Sequence, residues 1–268
     1  MINIKFLDDE QREQIGFLFI LDKLEVITPY GVQEKKNIRP FKRNEIYKLC
    51  NELNILDIIC ENLKVNKAIY NDIERIFYKI KDIRSSIKRC ENLDNLDDIE
   101  LYEIKCFGLL INEFLLAFQS LNLNIVDFRF HSLENLVNIL DPEGKKIPTF
   151  YIYNSYSEKL KKIRAEKERL EGKIIIEKDE LRLKALKEER LNTVLEEEEE
   201  ELVIRTKLTK KIKEYCYILR ENIKSIGKFD FLLAKAKLTL RYKGVKPEIS
   251  DKMEIIFEDV LDRKSTRL

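Results

Sequence analysis

The chain has 268 residues, of which 44% are hydrophobic and 37% charged, and its 50 Lys and Arg nearly balance 49 Asp and Glu for a net charge of +1. This is enough apolar material for a core and enough charge for long exposed helices, while seven Gly and five Pro leave little room for a turn-rich β fold. The near-neutral balance gives no global pull toward nucleic acid or membrane, so any such binding needs a local patch.

Met1-Ile2-Asn3-Ile4-Lys5 has no signal-peptide layout. The longest apolar run, Ile15 to Leu21, falls far short of a membrane span. Residues 15 to 26 read as a short apolar helix. Thr28-Pro29 then supplies an N-cap followed by proline at the first helical position, where a missing N–H costs nothing. The short helix that follows should stop before Pro40. Arg43 to Leu63 is again helical, with Ile46, Leu49, Cys50, Leu53 and Leu56 on one side.

Ile69, Ile73, Ile76, Ile80, Ile83 and Ile87 alternate steps of four and three. That seam predicts one helix packed along most of its length against a neighbour. Asn92 to Asp98 is polar and reads as a loop. Ile99 to Leu121 is apolar enough for the central core helix. Ile125 to Phe130 fits a short strand or an extended connection. Ser132 would cap a helix to Leu140, which the turn Asp141-Pro142-Glu143-Gly144 ends. Ile147 to Tyr153, aromatic and β-branched, is the most strand-like segment.

Tyr156 to Ile226 has no proline, one glycine (Gly172), and charge on half its residues. Such a stretch forms long helices with solvated flanks and a narrow apolar seam. Ser155 and Glu158 have capping-box spacing at its start. Leu160, Ile163, Leu170 and Ile174 mark an outgoing arm, with Lys167 at the missing heptad step. Leu208, Ile212, Tyr215, Leu219, Ile223 and Ile226 mark a returning one. The turn between them falls at Gly172 or at Asn192-Thr193, and the second is preferred because it makes the arms equal. After Gly227 the apolar content rises again from Phe229 to Leu238, so this helix should re-enter the core, and Pro247 marks an exit. The expected fold is therefore all-α: a helical core (1–154), a helical hairpin (155–226) and a return helix (227–249), with at most one or two short strands.

Chemistry-bearing motifs are sparse. No phosphate-cradling Gly-rich loop occurs, and Gly144-Lys145, Gly172-Lys173 and Gly227-Lys228 lack its other elements. His131 is the one histidine, which excludes sites built on several imidazoles. The five cysteines, Cys50, Cys60, Cys90, Cys106 and Cys216, are odd in number with no Cys-x-x-Cys, and read as reduced structural thiols of a cytoplasmic protein. These residues do not read as an enzyme, and no cofactor or metal site is expected within them. Glu196 to Glu201 form a run of six glutamates that reads as a solvated helix face or tip, or else as an acidic contact. Lys159, Lys161, Lys162, Arg164, Lys167 and Arg169 form a basic face interleaved with glutamates. They make either an ordinary ion-paired helix surface or an arm that contacts phosphates or a partner.

Four motifs in order carry a family resemblance. They are Thr28-Pro29-Tyr30-Gly31 with Arg39-Pro40-Phe41, and Asp72-Ile73-Glu74-Arg75-Ile76 with Lys79-Ile80. Next come Tyr156-Ser157-Glu158-Lys159-Leu160 with Ile163-Arg164-Ala165-Glu166. The last is Phe229-Asp230-Phe231-Leu232-Leu233-Ala234-Lys235-Ala236 with Val245-Lys246-Pro247-Glu248-Ile249. Together they resemble the core and lever region of the MutS family of DNA mismatch repair ATPases, over about residues 15 to 255. The resemblance implies a helical core, a long lever out and back, and an ATPase domain beginning near Pro247 that would hold ATP and magnesium and form a homodimer. It also implies DNA as a partner. The sheet-rich DNA clamp that other members carry between the levers has no counterpart here. In that respect the pattern is closest to a clamp-less branch associated with reactivation of the cobalamin-dependent lysine 5,6-aminomutase, which would make that enzyme the partner. A purely structural helical interaction module is the plainer alternative. Lever motion would arise near Ile226 to Asp230, with Gly227 as a hinge or as a kink into the core. Residues 250–268 would be the start of the ATPase domain plus a tail, Asp262 to Leu268, that reads as a translated sequencing adapter, so the natural gene is expected to continue.

Overall fold

The computed structural model describes residues 7–123, 125, 127–146, 151–250, 254 and 256. The described residues form eleven α-helices and no strand. The strand expected over 147–153 lies partly outside them, and Tyr151 to Tyr153 are not in a strand. The expectations for residues 257 to 268 also lie outside the described residues.

Two six-residue helices open the described residues: α1 (Asp9–Gln14), which was not expected, and α2 (Phe17–Asp22), shorter than the helix expected over 15 to 26. Gly16 between them has φ +75°, a left-handed conformation that interrupts the helix. Helix α3 (Pro29–Lys36) begins as the sequence predicts. Thr28 Oγ1 accepts from Gly31 N at 2.9 Å, and Pro29 occupies the first turn. A 3₁₀ turn (Arg43–Glu45) leads into α4 (Ile46–Val65).

The isoleucine seam is buried from Ile73 to Ile87, but it does not lie on one helix. Helix α5 (Lys67–Phe77) stops, and α6 (Arg84–Glu91) starts after a six-residue connection. The Tyr30 hydroxyl holds that gap. It donates to Lys81 O at 3.0 Å and accepts from Ile83 N at 3.2 Å, satisfying backbone groups that a continuous helix would have paired internally.

Helix α7 (Asp98–Ser120) is the central element. A capping box starts it, with Asp97 Oδ1 accepting from Glu100 N at 2.8 Å and Glu100 Oε2 accepting from Asp97 N at 3.0 Å. Helix α8 (Glu134–Leu140) follows. The amide oxygen of Asn112, on α7, accepts from Leu133 N at 2.8 Å and from Ser132 Oγ at 3.3 Å, while Ser132 Oγ itself accepts from Glu134 N at 3.3 Å. Capping is thus shared with a neighbouring helix instead of resting on Ser132 alone.

Helices α9 (Glu158–Ile176), α10 (Glu180–Lys213) and α11 (Cys216–Arg241) complete the fold. The N-cap of α9 is Ser157, two residues later than expected, and Ser155 instead donates to Glu143. The return helix starts at Cys216, not at residue 227. It is buried along most of its length from Asn222 to Ala236. Phe229 lies at its centre, with ring centroids of Phe118, Phe128, Phe114, Phe77 and Phe130 between 5.2 and 6.5 Å away, mostly edge-to-face.

Segment 128–132 runs extended beside α11 without joining a sheet. Side chains of α11 take the place of a neighbouring strand. Asn222 Nδ2 donates to His131 O at 3.0 Å while its Oδ1 accepts from His131 N at 2.8 Å, and Ser225 Oγ pairs with both backbone groups of Arg129. These pairings remove the need for a strand partner.

Candidate functional site: the helical hairpin and its root

Helices α9 and α10 form an antiparallel hairpin. The pairs Ser157–Glu200, Arg164–Glu197 and Glu171–Arg190 show the register, with numbers rising on one helix as they fall on the other. The turn is Glu177-Lys178-Asp179, at neither expected position. Gly172 lies inside α9, with open space where a Cβ would stand. Asn192 and Thr193 lie inside α10. Two carboxylates build the turn. Glu177 Oε1 accepts from Lys178 N and Asp179 N, and Asp179 caps α10 by accepting from Arg182 N at 2.9 Å. The outgoing arm therefore spans about 28 Å at 1.5 Å per residue. Beyond Glu200, α10 continues unbroken into the core, where Thr209 Oγ1 accepts from Leu96 N at 3.2 Å.

The seam is apolar at both ends and ionic in the middle. Leu160, Ile163 and Leu170 are buried on α9, and Ile204, Leu208 and Ile212 on α10. Between them Glu197 and Glu200 are buried too. Arg164 is the centre of this zone. Its Nε donates to Glu197 at 2.8 Å and its Nη2 to Glu201 at 2.8 Å. Its Nη1 reaches Tyr151 Oη, Ile152 O and Asn154 Oδ1, each at 2.7 Å. Burial pulls the Arg164 guanidinium down, but Glu197 and Glu201 more than offset this and hold it above its ordinary range. Burial likewise pushes the Glu197 carboxyl up, and Lys167 and Arg164 together bring it below its usual value. Glu200 is held low by Ser157 and Lys159.

Four of the six cations proposed from sequence thus have internal partners. Lys159 pairs with Glu200 at 3.1 Å, Arg164 with Glu197 and Glu201, Lys167 with Glu197, and Arg169 with Glu166 on its own helix. Lys161 and Lys162 are exposed and pair with no described carboxylate. The six-glutamate run is not a solvated tip. Glu197, Glu200 and Glu201 face α9, while Glu196, Glu198 and Glu199 face outward. The signal for this was present: Leu183, Leu186, Arg190, Thr193, Glu197, Glu200 and Ile204 step by three and four along α10, so a heptad reading places two glutamates in the seam.

Gly227 sits within an unbroken α11, where a Cβ would lie 3.0 Å from the backbone of Tyr30. Its lack of a side chain is accounted for by this close crossing of α3 and α11. One turn on, the buried Asp230 carboxylate accepts from Thr28 N and Thr28 Oγ1, each at 2.7 Å, and from Ile27 N at 3.1 Å. Neither Asp230 nor Asn222 stood out in the sequence as a bonding centre.

An open groove of 790 Å³ lies beside α4 and α11, lined by Tyr47, Asn51, Glu52, Asp127 and Lys228. Its Asp127 already accepts from Lys228 at 2.9 Å and Asn51 at 3.0 Å, and both pull its carboxyl below the usual range against burial. No metal-binding group of three or more ligands occurs among the described residues, and no described helix is long and apolar enough to cross a membrane. Arg164, Glu197 and their neighbours form a structural lock with no acid and base pair facing a cleft. When the sequence is compared with known proteins, no family model and no curated protein matches it.

Proposed function

We propose that this chain is the base and lever of a MutS-like machine, and that its hairpin relays movement to a protein partner. The family part of the reading rests on the four ordered motifs in the sequence. The mechanical part rests on one observation. Helix α10 runs unbroken from the hairpin turn to the core, and α9 is locked to it through Arg164 and Glu197. A shift at the root is then carried to the turn by a rigid body. The push would come from the ATPase half that the resemblance implies, together with its ATP, magnesium and homodimer contact.

The charge pattern favours a protein partner over DNA. Lys159, Arg164, Lys167 and Arg169 on α9 are occupied by internal carboxylates, and α10 exposes Glu188, Glu196, Glu198 and Glu199 along with Arg182, Lys184 and Lys187. Such a mixed surface offers phosphates no continuous basic track. A cobalamin-dependent aminomutase is the partner that the clamp-less branch implies. DNA repair is the second reading, favoured by the wider family and by the unpaired Lys161 and Lys162.

Two measurements test this. Spin labels at Lys178 and Lys224 should give one narrow distance distribution, and a broad one would sink the rigid relay. Fluorescence-labelled duplex and branched DNA should show no salt-dependent binding. Binding that vanishes in a Lys161→Glu, Lys162→Glu variant would transfer the assignment to DNA.

A further inference from the structure

Helix α10 carries a second seam on the side turned away from α9. Leu181, Leu191, Leu195, Leu202 and Val203 are between 45% and 82% exposed there. Leu191, Leu195 and Leu202 follow at steps of four and seven, which keeps them on one helical face, and the seven-residue register carries that face back to Leu181. Glu197, Glu200 and Ile204, which are buried towards α9, lie across the helix from it. A helix with apolar residues on two opposite sides has one neighbour in its own hairpin and a face left for another.

The order of residues along this outer face identifies the occupant. The apolar positions are symmetric about Asn192 and Thr193. Leu191 and Leu195 stand on either side of that point, and Leu181 and Val203 stand eleven residues before and after Asn192. The charges are antisymmetric. Lys184 and Lys187 precede the point, Glu198 and Glu199 follow it, and all four are exposed. A two-fold contact needs this combination, because residue i of one copy meets residue j of the other while j meets i. A parallel pair would instead set lysine against lysine and glutamate against glutamate.

We propose that this face is the contact of an antiparallel dimer of the chain, with the two-fold axis at Asn192 and Thr193. Leu191 of each copy meets the partner's Leu195, and Leu181 beside each hairpin turn meets the partner's Val203. Lys184 and Lys187 lie against the partner's Glu198 and Glu199, and the Lys184 stem covers the partner's Leu202. Glu188 is the one residue of the face out of keeping with this pairing, since the partner's Glu198 lies at its level. The contact is separate from the homodimer contact that the family reading puts in an ATPase half, and does not depend on it. Each hairpin turn then rests at the root of the other copy's hairpin, so movement at one root displaces both levers.

Sedimentation velocity of the full chain over a concentration series tests this. Wild type should pass from monomer to dimer with a dissociation constant in the micromolar range. Reversing one end, by Lys184→Glu with Lys187→Glu or by Glu198→Lys with Glu199→Lys, should weaken each dimer by about tenfold or more. An equimolar mixture of these two variants should associate again, since both ends then join opposite charges. Leu191→Gln with Leu195→Gln should leave a monomer, and Glu188→Lys should tighten the dimer. Spin labels at Asn192 should lie close together between copies, while labels at Lys178 should be about 45 Å apart. A wild type that stays monomeric up to about 100 μM would overturn the proposal. So would a dimer that the charge reversals leave unchanged, a mixture that fails to associate, or labels at Lys178 that lie as close as those at Asn192.

Discussion

A Cβ placed on Gly31 would sit 2.2 Å from Oδ2 of Asp230, inside any permitted contact. The glycine and the carboxylate are therefore one device. Asp230 takes up the first donors of α3 through Thr28, and only a glycine at residue 31 leaves it room. Gly31→Ala forces the carboxylate off Thr28 and should cost about 2 kcal/mol, as overpacking and lost charge-assisted bonds do. Urea unfolding measures it, and an unchanged midpoint would mean that Asp230 has another place to go.

Gly227 meets Tyr30 on the same interface, and here the sign of the effect is informative. Alanine in a helix interior is favoured over glycine by about 1 kcal/mol. Since a Cβ would lie 3.0 Å from three atoms of Tyr30, Gly227→Ala should instead destabilise the protein. A stabilised variant would show that α3 and α11 separate readily there and would restore the hinge reading.

Asp230 also predicts a pH dependence. Burial raises its carboxyl above the ordinary value, although bonds from Thr28 and Ile27 lower it, and the nearby Glu74 adds a smaller upward push. An acid with a raised pKa in the folded state binds its proton more tightly there than in the unfolded chain. Its contribution is full below the unfolded value of about 4 and is lost as pH rises through the folded value. Stability of the wild type relative to Asp230→Asn should therefore decline across that window. A difference that is flat, or that grows with pH, would show the bonds outweighing burial.

Parts of this fold were legible because their chemistry is local. Thr28-Pro29 announces a helix start by itself, and the 3-4 spacing of isoleucines correctly marks a buried stripe. The break within that stripe was invisible because its cause is remote: the hydroxyl of Tyr30 reaches residues 81 and 83 from another helix. The hairpin turn shows the opposite failure. Asp179 is a good N-cap directly before Glu180, but equal arm lengths and the lone Gly172 drew the boundary elsewhere. Among the candidate cations, spacing gave a basic face but not its occupants. Arg164 looks like its neighbours in sequence and differs only because Tyr151, Asn154, Glu197 and Glu201 converge on it.

Segment 128–132 tests how far a helix side chain can replace a strand. Asn222→Ala leaves His131 N and O without their partner in a part-buried site and should cost about 2 kcal/mol. Hydrogen exchange should accelerate at the His131 amide first. Equal acceleration along all of α11 would mean that the amide supports the whole helix and not this segment.

The hairpin lock separates charge from geometry. Arg164→Lys keeps a cation between Glu197 and Glu201 but cannot also reach Tyr151, Ile152 and Asn154, because lysine lacks the planar fork. The loss should be about 2 kcal/mol, the scale of buried bonds to a charged group. It should appear as faster exchange in α9 and a wider distance distribution between the turn and the core. Glu197→Gln addresses the charge instead. Its carboxyl is held low by Lys167 and Arg164 against burial, so the stability it confers is present above the ordinary glutamate value and lost as pH falls through its depressed one. The variant should be less stable than wild type at neutral pH and converge with it in acid. If Arg164→Lys is silent while Glu197→Gln is not, charge alone holds α9 to α10. The reverse outcome would place the stiffness of the hairpin in the fan of bonds that Arg164 sends to the segment entering α9.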